Sequence, residues 1–243
     1  MSDEESATKC EQAQRVREMF AAIATRYDLL NHLLSGNVDQ RWRRLVARRM
    51  AANLSTNDAR VLDVACGTGD LSLALVAGTN AQVIGLDFCQ PMLDIAAAKS
   101  SDRGLAIPFV EGDALKLPFR DRSFDGVSIA FGLRNLASFE GGLGELFRIL
   151  RPGGTVAVLE FSTPRTPILR TFFRVYFTKL LPFVGGMISG SKSAYEYLPD
   201  SVSRFPDQAL LAAMLKEVGF GEVTFQNLTG GIAALHIGKR PQS

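Results

Sequence analysis

Apolar residues recur along this chain with two different spacings, and the change of spacing predicts where a helical segment gives way to a sheet. In the first fifty residues the spacing is i, i+3, i+4 and i+7, which is typical of amphipathic helices. Two sets of residues carry it: Val16, Met19, Phe20 and Ile23, then Trp42, Leu45, Val46 and Met50. We therefore predict an all-helical start, before any strand.

From Arg60 onward, short apolar runs alternate with helical patterns, which predicts a parallel α/β sheet. The predicted parallel strands are 61–65, 83–86, 109–110, 126–131 and 155–160. Two later strands, 222–228 and 232–238, are joined by three residues only, and a loop that short allows antiparallel pairing alone. The pattern predicts five parallel strands, a terminal antiparallel hairpin and helices on both faces, a Rossmann-like α/β fold.

Length and composition fit one large domain with additions. With 243 residues and 47% hydrophobic content, the chain has enough apolar surface for a packed core. We expect a helical segment at 1–55 that contributes to a substrate pocket, and a main domain at 56–243. Residues 164–206 interrupt the strand and helix alternation and are rich in Phe, Tyr and Gly, so we interpret them as an insertion covering the substrate.

Charge and cysteine content exclude several classes of protein. The 27 basic and 25 acidic residues leave a net charge of +2, too little for a protein that binds nucleic acid through a broad positive field. Cys10, Cys66 and Cys89 have neither disulfide-framework nor zinc-site spacing, so we expect no metal and a reducing, cytoplasmic location. Residues 1–14 are polar and acidic, unlike a signal peptide, and no apolar run approaches the roughly 20 residues of a membrane span.

The segment from Asp63 to Asp70 carries the most informative motif. Gly67, Thr68 and Gly69 follow the first predicted strand, where the backbone amides at a helix start face the ligand of a doubly wound sheet. Glycine there lets the backbone approach the ligand closely. A dinucleotide fingerprint needs a third glycine at position 72, which is Ser72 here. With the terminal hairpin, this favours S-adenosylmethionine, as in class I methyltransferases, over NAD.

Two further strand ends supply candidate cofactor contacts. Asp87, followed by Phe88, ends the second strand and is placed to accept hydrogen bonds from both ribose hydroxyls. Asp113 and Ala114 follow the third strand, where a carboxylate and a backbone amide suit adenine. Each feature has a structural alternative: Asp87 could cap the helix at 91–99, and Asp113 could form an Asx turn. Three such turns at successive strand ends favour the cofactor interpretation, with Asp63 included at the start of the loop.

The turn after the fourth strand, residues 130–135, points at the methyl group of S-adenosylmethionine in such a fold. Its sequence therefore bears on which molecule accepts the methyl group. Methyltransferases that act on nitrogen of DNA bases typically carry Asn/Asp-Pro-Pro-Tyr/Phe there, and this chain has Ala-Phe-Gly-Leu-Arg-Asn. At these residues the sequence resembles the ubiquinone/menaquinone biosynthesis C-methyltransferase family. The resemblance runs from Tyr27 to Lys239 and rests on segments 27–35, 131–135, 150–154, 159–162, 195–205 and 229–236. Leu30, where the family usually has Met, and Ala130, where a hydroxyl is common, depart from its pattern.

The resemblance implies that the acceptor is a membrane-embedded polyprenylated hydroquinone methylated at a ring carbon, with demethylmenaquinol as the leading candidate. The ubiquinone-pathway quinol and a small soluble phenol stay open as alternatives, as does a cofactor-binding protein without enzymatic activity. Ring carbon becomes nucleophilic when a quinol oxygen carries negative charge, and Arg134 is the candidate cation that favours that charge. Because arginine is a poor base, water or Tyr27 is expected to pass the proton on. The alternative is that Arg134 pairs with a structural carboxylate.

Two surfaces are candidates for contact with the lipid substrate. The insertion at 168–190 places Phe173, Tyr176, Phe177 and Leu180 on one helical face, which either holds the isoprenoid tail or belongs to the core. Five arginines at 41, 43, 44, 48 and 49 either rest peripherally on anionic lipid at the inner face of the membrane or form a solvated helix face. His32 and His236 have no predicted part in the mechanism, and the oligomeric state is left open.

Overall fold

The computed structural model describes residues 3–54, 58–164, 166–167, 170–171 and 192–242. Its helices are α1 (Asp3–Ser35), α2 (Val38–Ala51), α3 (Asp70–Gly78), α4 (Gln90–Ser101), α5 (Phe139–Ile149), α6 (Lys192–Arg204) and α7 (Gln208–Val218). Its strands are β1 (Arg60–Val64), β2 (Gln82–Asp87), β3 (Phe109–Glu111), β4 (Phe124–Ala130), β5 (Leu150–Phe161), β6 (Gly221–Leu228) and β7 (Ala233–Lys239).

One sheet of seven strands organises the described part of the chain, in the order β3-β2-β1-β4-β5-β7-β6. The first five strands pair in parallel, and β7 is antiparallel to both β5 and β6. The predicted Rossmann-like fold with a terminal antiparallel hairpin is confirmed. The strand order reverses between β1 and β4, and a doubly wound sheet opens its ligand crevice beyond the strand ends at that switch point.

Apolar side chains cover both faces of the sheet, as predicted. On one face Leu143 and Leu146 of α5 and Leu215 of α7 pack against the strands. On the other face α2 and α3 bury Val46 and Leu75. Each fully buried leucine or valine contributes roughly 1.5–3 kcal/mol to folding, so these layers fix the strands whose ends form the crevice.

The predicted N-terminal helices are present as α1 and α2. Asn37 adopts a left-handed conformation (φ 61°) between them, which lets the chain turn sharply. The two helices are packed differently: α2 buries Trp42 and Met50 in the main core, whereas Ala24 of α1 packs on Cys89 and Met92 beside the strand ends. Because α1 lies at the crevice rather than on the sheet, it is positioned to form a wall of the site.

Several sequence-based boundaries shift for local reasons. Ala65 and Phe131, predicted as strand ends, lie just beyond β1 and β4 because both adopt positive φ angles of 52° and 58°. β5 begins at Leu150 rather than at 155, since Leu150 pairs with Phe124 across a bulge. Residues 55–57, where the predicted domain boundary falls, and 172–191, which include the apolar face at 173–180, lie outside the described residues. Within the described part, no helix is long and apolar enough to cross a bilayer.

Candidate active site

A cavity of about 460 Å³ lies beyond the carboxyl ends of the parallel strands. Its volume falls within the roughly 300–1,000 Å³ that small-molecule sites occupy. Turns after β1, β2, β3 and β4 supply one side of it, and side chains of α1 supply the other. Six of the ten residues predicted from the sequence line this cavity: Tyr27, Gly67, Asp87, Phe88, Asp113 and Ala114.

The glycine loop gives the cavity a wall made of backbone. Gly67 and Gly69 have φ angles of +55° and +81°, a region that side-chain-bearing residues rarely adopt. A Cβ at Gly67 would meet no protein atom within 4 Å, so the space beyond it belongs to the cavity. The Gly69 amide closes the turn on the Cys66 carbonyl at 2.9 Å, and α3 begins at Asp70. The loop can therefore contact a ligand closely at the positive end of a helix.

Asp87 connects the second strand to this loop. One carboxylate oxygen accepts from the Gly67 amide at 2.8 Å and the other from the Cys89 amide at 3.0 Å. Burial raises the pKa of Asp87 to about 6, against the backbone hydrogen bonds, which lower it. The side chain thus holds the glycine loop to the residue before α4 while it also lines the cavity. The N-cap of α4 is Cys89 and not Asp87, and contact of Asp87 with the ribose stays a prediction.

Asp113 and Ala114, predicted to contact adenine, and Phe88, predicted to bind the cofactor, lie together at the cavity. The Asp113 carboxylate accepts from the Leu115 amide at 2.8 Å, which is the Asx turn held open as the alternative. Asp113 is exposed to solvent and still lines the cavity together with Ala114. Phe88 offers an aromatic ring to the same space.

Asp63, Thr68 and Gly69 are not among the described residues that line the cavity. Asp63 lies behind the loop and accepts from the hydroxyls of Ser72 at 2.7 Å and Ser128 at 2.9 Å. Burial raises its pKa to about 6. The Thr68 hydroxyl donates to Asp28 of α1. These residues support the loop from behind, and direct cofactor contact by any of them stays a prediction.

Arg134 lies in a short 3-10 turn after β4 and is held in a buried ion pair. Its Nη1 donates to the Glu160 carboxylate at 2.8 Å and to the Phe131 carbonyl. The side chains of Arg134 and Glu160 are only 6% and 2% exposed. Burial raises the pKa of Glu160, with the nearby guanidinium opposing that shift. The structural pairing that the sequence left open is therefore present, and Arg134 is not among the cavity-lining residues described.

One atom of Arg134 nevertheless lacks a partner. Its Nε is buried and has no hydrogen-bond acceptor among the described residues. Buried donors are nearly always paired, so an unpaired one calls for an explanation such as a missing ligand. The neighbouring residues Phe131, Gly132 and Asn135 do line the cavity. The guanidinium thus lies immediately behind the wall nearest to the β4 turn.

Sequence reasoning missed several groups that complete the site. From α1, Gln14 and Arg17 line the cavity, and Arg17 pairs with Glu111 at the end of β3. At the β4 turn, Asn135 lines the cavity and accepts a hydrogen bond from Tyr197 of α6 at 3.2 Å. Glu160, the buried partner of Arg134, had two indications in the sequence: it ends the apolar run 155–160, and it lies in segment 159–162 of the family resemblance. No comparable pattern marks the contacts of α1 and α6, because they join distant parts of the sequence.

The two histidines lie in different environments. His236 is buried in β7, where its Nε2 lies 2.8 Å from the Gln208 carbonyl. Burial lowers its pKa. His32 lies between Asp39 at 3.0 Å and Asp70 at 3.5 Å. Arg43 and Lys99 already neutralise these two carboxylates, so the group is a network of ion pairs.

The cavity fits S-adenosylmethionine on chemical grounds. It combines a glycine loop that leaves room for a ligand, a buried carboxylate at the end of β2 and an aromatic ring beside it. Such groups suit an amino-acid tail, a ribose and an adenine in that order along the strand ends. The sheet with its terminal antiparallel hairpin and this cavity define a class I S-adenosylmethionine-dependent methyltransferase.

Comparison with known proteins agrees with this class. A model described as the ubiE/COQ5 methyltransferase family matches residues 8–240, and the chain belongs to that family. It is 51% identical over 224 residues to a demethylmenaquinone methyltransferase of Thermus thermophilus, covering 92% of this chain and 100% of the relative. It is 42% identical to a ubiquinone/menaquinone biosynthesis C-methyltransferase of a Geobacter species, covering 95% and 98%.

A solved structure shows the same fold at low sequence identity. The cyclase SpnF superposes with a TM-score of 0.71 at 18% identity, covering 95% of this chain and 97% of that one. Family membership, and not this likeness, establishes the chain as an S-adenosylmethionine-dependent methyltransferase.

Proposed function

We propose that this methyltransferase transfers the methyl group to a ring carbon of a polyprenylated hydroquinone, with demethylmenaquinol as the acceptor and menaquinol as the product. The observation that carries the proposal is the 51% identity, over the full length of the relative, to a protein named for that reaction. The ubiquinone-pathway quinol is the second candidate, because the Geobacter relative is named for both pathways.

Aromatic side chains beside the cavity support a planar apolar acceptor. The ring of Phe131, which lines the cavity, lies 6.0 Å from that of Trp42 and 4.7 Å from that of Phe161. Arg43 and Arg134 place their guanidinium carbons 5.6 and 5.3 Å from the Phe131 and Phe161 rings. A hydroquinol ring would extend this aromatic group, and cations nearby favour the negative charge that its oxygens must develop.

Bound S-adenosylmethionine supplies the electrophilic methyl group, so the protein must orient the acceptor and favour its ionised form. We assign the second task to Arg134: a quinol oxygen is the acceptor that its buried Nε lacks. Glu160 fixes the guanidinium in place, which limits the rearrangement needed when the acceptor binds. The pair is close to neutral overall, so the effect on the quinol comes from the directed hydrogen bond more than from net charge.

The proton released by the quinol needs another route, because arginine stays protonated. Tyr27 of α1 lines the cavity and is the side chain we assign to passing that proton on, directly or through water. Asn135 lines the side of the cavity formed by the β4 turn, opposite α1; its side-chain oxygen accepts from Tyr197, and its Nδ2 donates to the Phe131 carbonyl at 3.3 Å. We assign Asn135 to orientation of the acceptor.

A membrane-dissolved acceptor requires the protein to reach lipid, and we propose peripheral contact at the cytoplasmic face through α2. Arg41, Arg44 and Arg48 are exposed on the side of α2 opposite its buried Trp42 and Val46. The other two arginines bind side chains of this protein: Arg43 pairs with Asp39, and Arg49 donates to Gln226, whereas Arg44 donates to the backbone carbonyl of Gln40. Co-sedimentation with anionic vesicles should fall as salt rises and should weaken in Arg41→Gln/Arg44→Gln/Arg48→Gln. Binding that ignores salt and lipid charge would remove this part of the proposal.

The central experiment supplies purified protein with labelled S-adenosylmethionine and short-tailed demethylmenaquinol or the ubiquinone-pathway quinol. We expect label in menaquinol, and Arg134→Ala should keep cofactor binding while losing most of the turnover. Arg103→Ala, at an exposed site on the turn after α4, is the matched control and should behave as the wild type. Label in the ubiquinone-pathway product alone would assign the second acceptor. No label in either product, with a soluble phenol methylated instead, would reject the quinol proposal.

A further inference from the structure

α1 forms one wall of the cavity, so the way it is held bears on cofactor binding. Gln14, Arg17, Phe20 and Tyr27 of this helix line the cavity opposite the strand ends. A ligand enclosed there is in contact with α1, and the closed position of the helix belongs to the ligand-binding state. Any group that holds α1 against the rest of the protein therefore contributes to binding.

A single ammonium group connects α1 to the glycine loop. Lys99 of α4 places its Nζ 2.7 Å from the carboxylate of Asp28 on α1 and also contacts Asp70 at the start of α3. The same Nζ lies 3.5 Å from the hydroxyl of Thr68 in the loop. That hydroxyl donates in turn to Asp28. Three groups, from α1, the loop and α3, thus meet at the ammonium of Lys99 on α4, and we name these four residues the Lys99 clasp.

Among the described residues, a second polar contact of α1 beside the cavity is weaker. Arg17 pairs with Glu111, but their side chains are 44% and 43% exposed, so solvent and salt screen the pair. The three charged members of the Lys99 clasp are 18–28% exposed and are screened less. The Thr68 hydroxyl donates to Asp28, and the His32 ring lies 3.5 Å from Asp70. Without the ammonium, the carboxylates of Asp28 and Asp70 would lack the charged lysine between them. Their repulsion would push α1 away from the loop.

We propose that Lys99 is a positioning residue for the cofactor: it holds α1 closed over the cavity and, through Asp28, fixes the Thr68 hydroxyl of the glycine loop. The apparent dissociation constant of a ligand rises in proportion as the binding-competent fraction of the protein falls. Loss of the clasp therefore weakens cofactor binding, whereas saturating cofactor restores the closed state and the turnover. The proposal depends on S-adenosylmethionine use and not on which quinol is the acceptor.

The test measures S-adenosylmethionine binding to the purified full chain by calorimetry, with no acceptor present. Lys99→Met, which keeps the length of the side chain and removes its charge, should raise the dissociation constant at least tenfold. Lys99→Arg should stay within threefold of the wild type, because a guanidinium can reach both carboxylates. Asp28→Asn should raise the dissociation constant by an intermediate factor, since Lys99 then still pairs with Asp70. Lys216→Met removes an exposed lysine of α7 and should bind as the wild type does.

Hydrogen exchange of α1 amides separates the clasp from a general loss of structure. In Lys99→Met, exchange should accelerate in the part of α1 around Asp28 and stay unchanged in β1 and β4. The KM for S-adenosylmethionine should rise with the dissociation constant, while kcat at saturating cofactor stays within threefold. Cofactor binding within twofold of the wild type in Lys99→Met would overturn the proposal. A loss of S-adenosylmethionine affinity in Lys99→Arg equal to that in Lys99→Met would also overturn it. Hydrogen exchange that accelerates throughout the sheet would do the same.

Discussion

Replacing Arg134 by methionine removes one member of the buried pair and leaves the Glu160 carboxylate without its cation. Glu160 keeps two backbone donors, the Phe161 amide at 2.9 Å and the Arg134 amide at 3.3 Å. Its side chain is 2% exposed, so water cannot replace the lost guanidinium. Breaking such a pair from one side typically costs about 3–5 kcal/mol. For a chain of this size, that corresponds to a fall in Tm of roughly 6–20 °C.

The buried environment of Glu160 also determines how the stability of Arg134→Met depends on pH. Burial raises the pKa of Glu160 even with Arg134 present, and removing the guanidinium takes away the group that lowers it most. An acid whose folded pKa lies above its unfolded pKa is most stabilising while protonated, and that contribution is lost as pH rises through the folded pKa. We therefore expect Arg134→Met to lose more stability relative to the wild type at pH 8 than at pH 5.

A second substitution separates a structural from a catalytic role of Arg134. Glu160→Leu added to Arg134→Met replaces the ion pair by apolar side chains, a change that is often neutral or stabilising for buried pairs. Urea unfolding should place the double variant within about 2 kcal/mol of the wild type. If the guanidinium acts on the quinol, quinol turnover in the double variant should stay at least a hundredfold below the wild type, while cofactor binding stays as in the wild type. Wild-type turnover in the double variant would refute the catalytic role. A single variant as stable as the wild type would refute the energetic argument.

Two further predictions concern Asp63, which supports the glycine loop, and two glycines, one in the β4 turn and one in α5. The folded-state pKa of Asp63, about 6, lies above the ordinary 3.8, so the free energy of unfolding of the wild type should fall as pH rises from about 4 to 7. Asp63→Asn should flatten this dependence on pH. Urea unfolding of both proteins across that pH range checks it. A Cβ at Gly132 would overlap that of Ala65, whereas one at Gly144 of α5 would meet nothing within 4 Å. Thermal unfolding should therefore show Gly132→Ala destabilised and Gly144→Ala stabilised by up to about 1 kcal/mol; the reverse order would contradict the packing described here.

The sheet and the cofactor side of the cavity could be predicted from the sequence because local pattern determines them. Parallel strands appear as short apolar runs, and their carboxyl ends meet at one edge, so Gly67, Asp87 and Asp113 could be placed together without a structure. The antiparallel hairpin followed from a three-residue loop. The positive φ angles of Ala65 and Phe131 could not be predicted, because no residue type at those positions requires them.

Contacts between distant segments were beyond such reasoning. Lys99 lies 71 residues from Asp28, and nothing in either neighbourhood indicates the other. The partner of Arg134 was foreseen only as an unnamed carboxylate, because pairing with Glu160 depends on how the β4 turn lies over the end of β5. Tyr197 reaches Asn135 across 62 residues that include the undescribed segment 172–191. In each case the tertiary fold, and not a local motif, brings the groups together.

Backbone turns and side chains contribute differently to the two ends of the cavity, and we expect this difference to determine which substitutions change the preference for the acceptor. Backbone turns at the strand ends form the cofactor end, where glycine conformations and a buried carboxylate leave few side chains free to vary. We assign Tyr27 of α1 and Asn135 of the β4 turn to the acceptor end, where single substitutions change shape and polarity without disturbing the sheet. Substitutions at Tyr27 or Asn135 should thus change the preference between naphthoquinol and benzoquinol acceptors while the dissociation constant for S-adenosylmethionine stays nearly constant. An equal loss of turnover with both acceptors, together with weaker cofactor binding, would show that the two ends of the cavity do not vary independently.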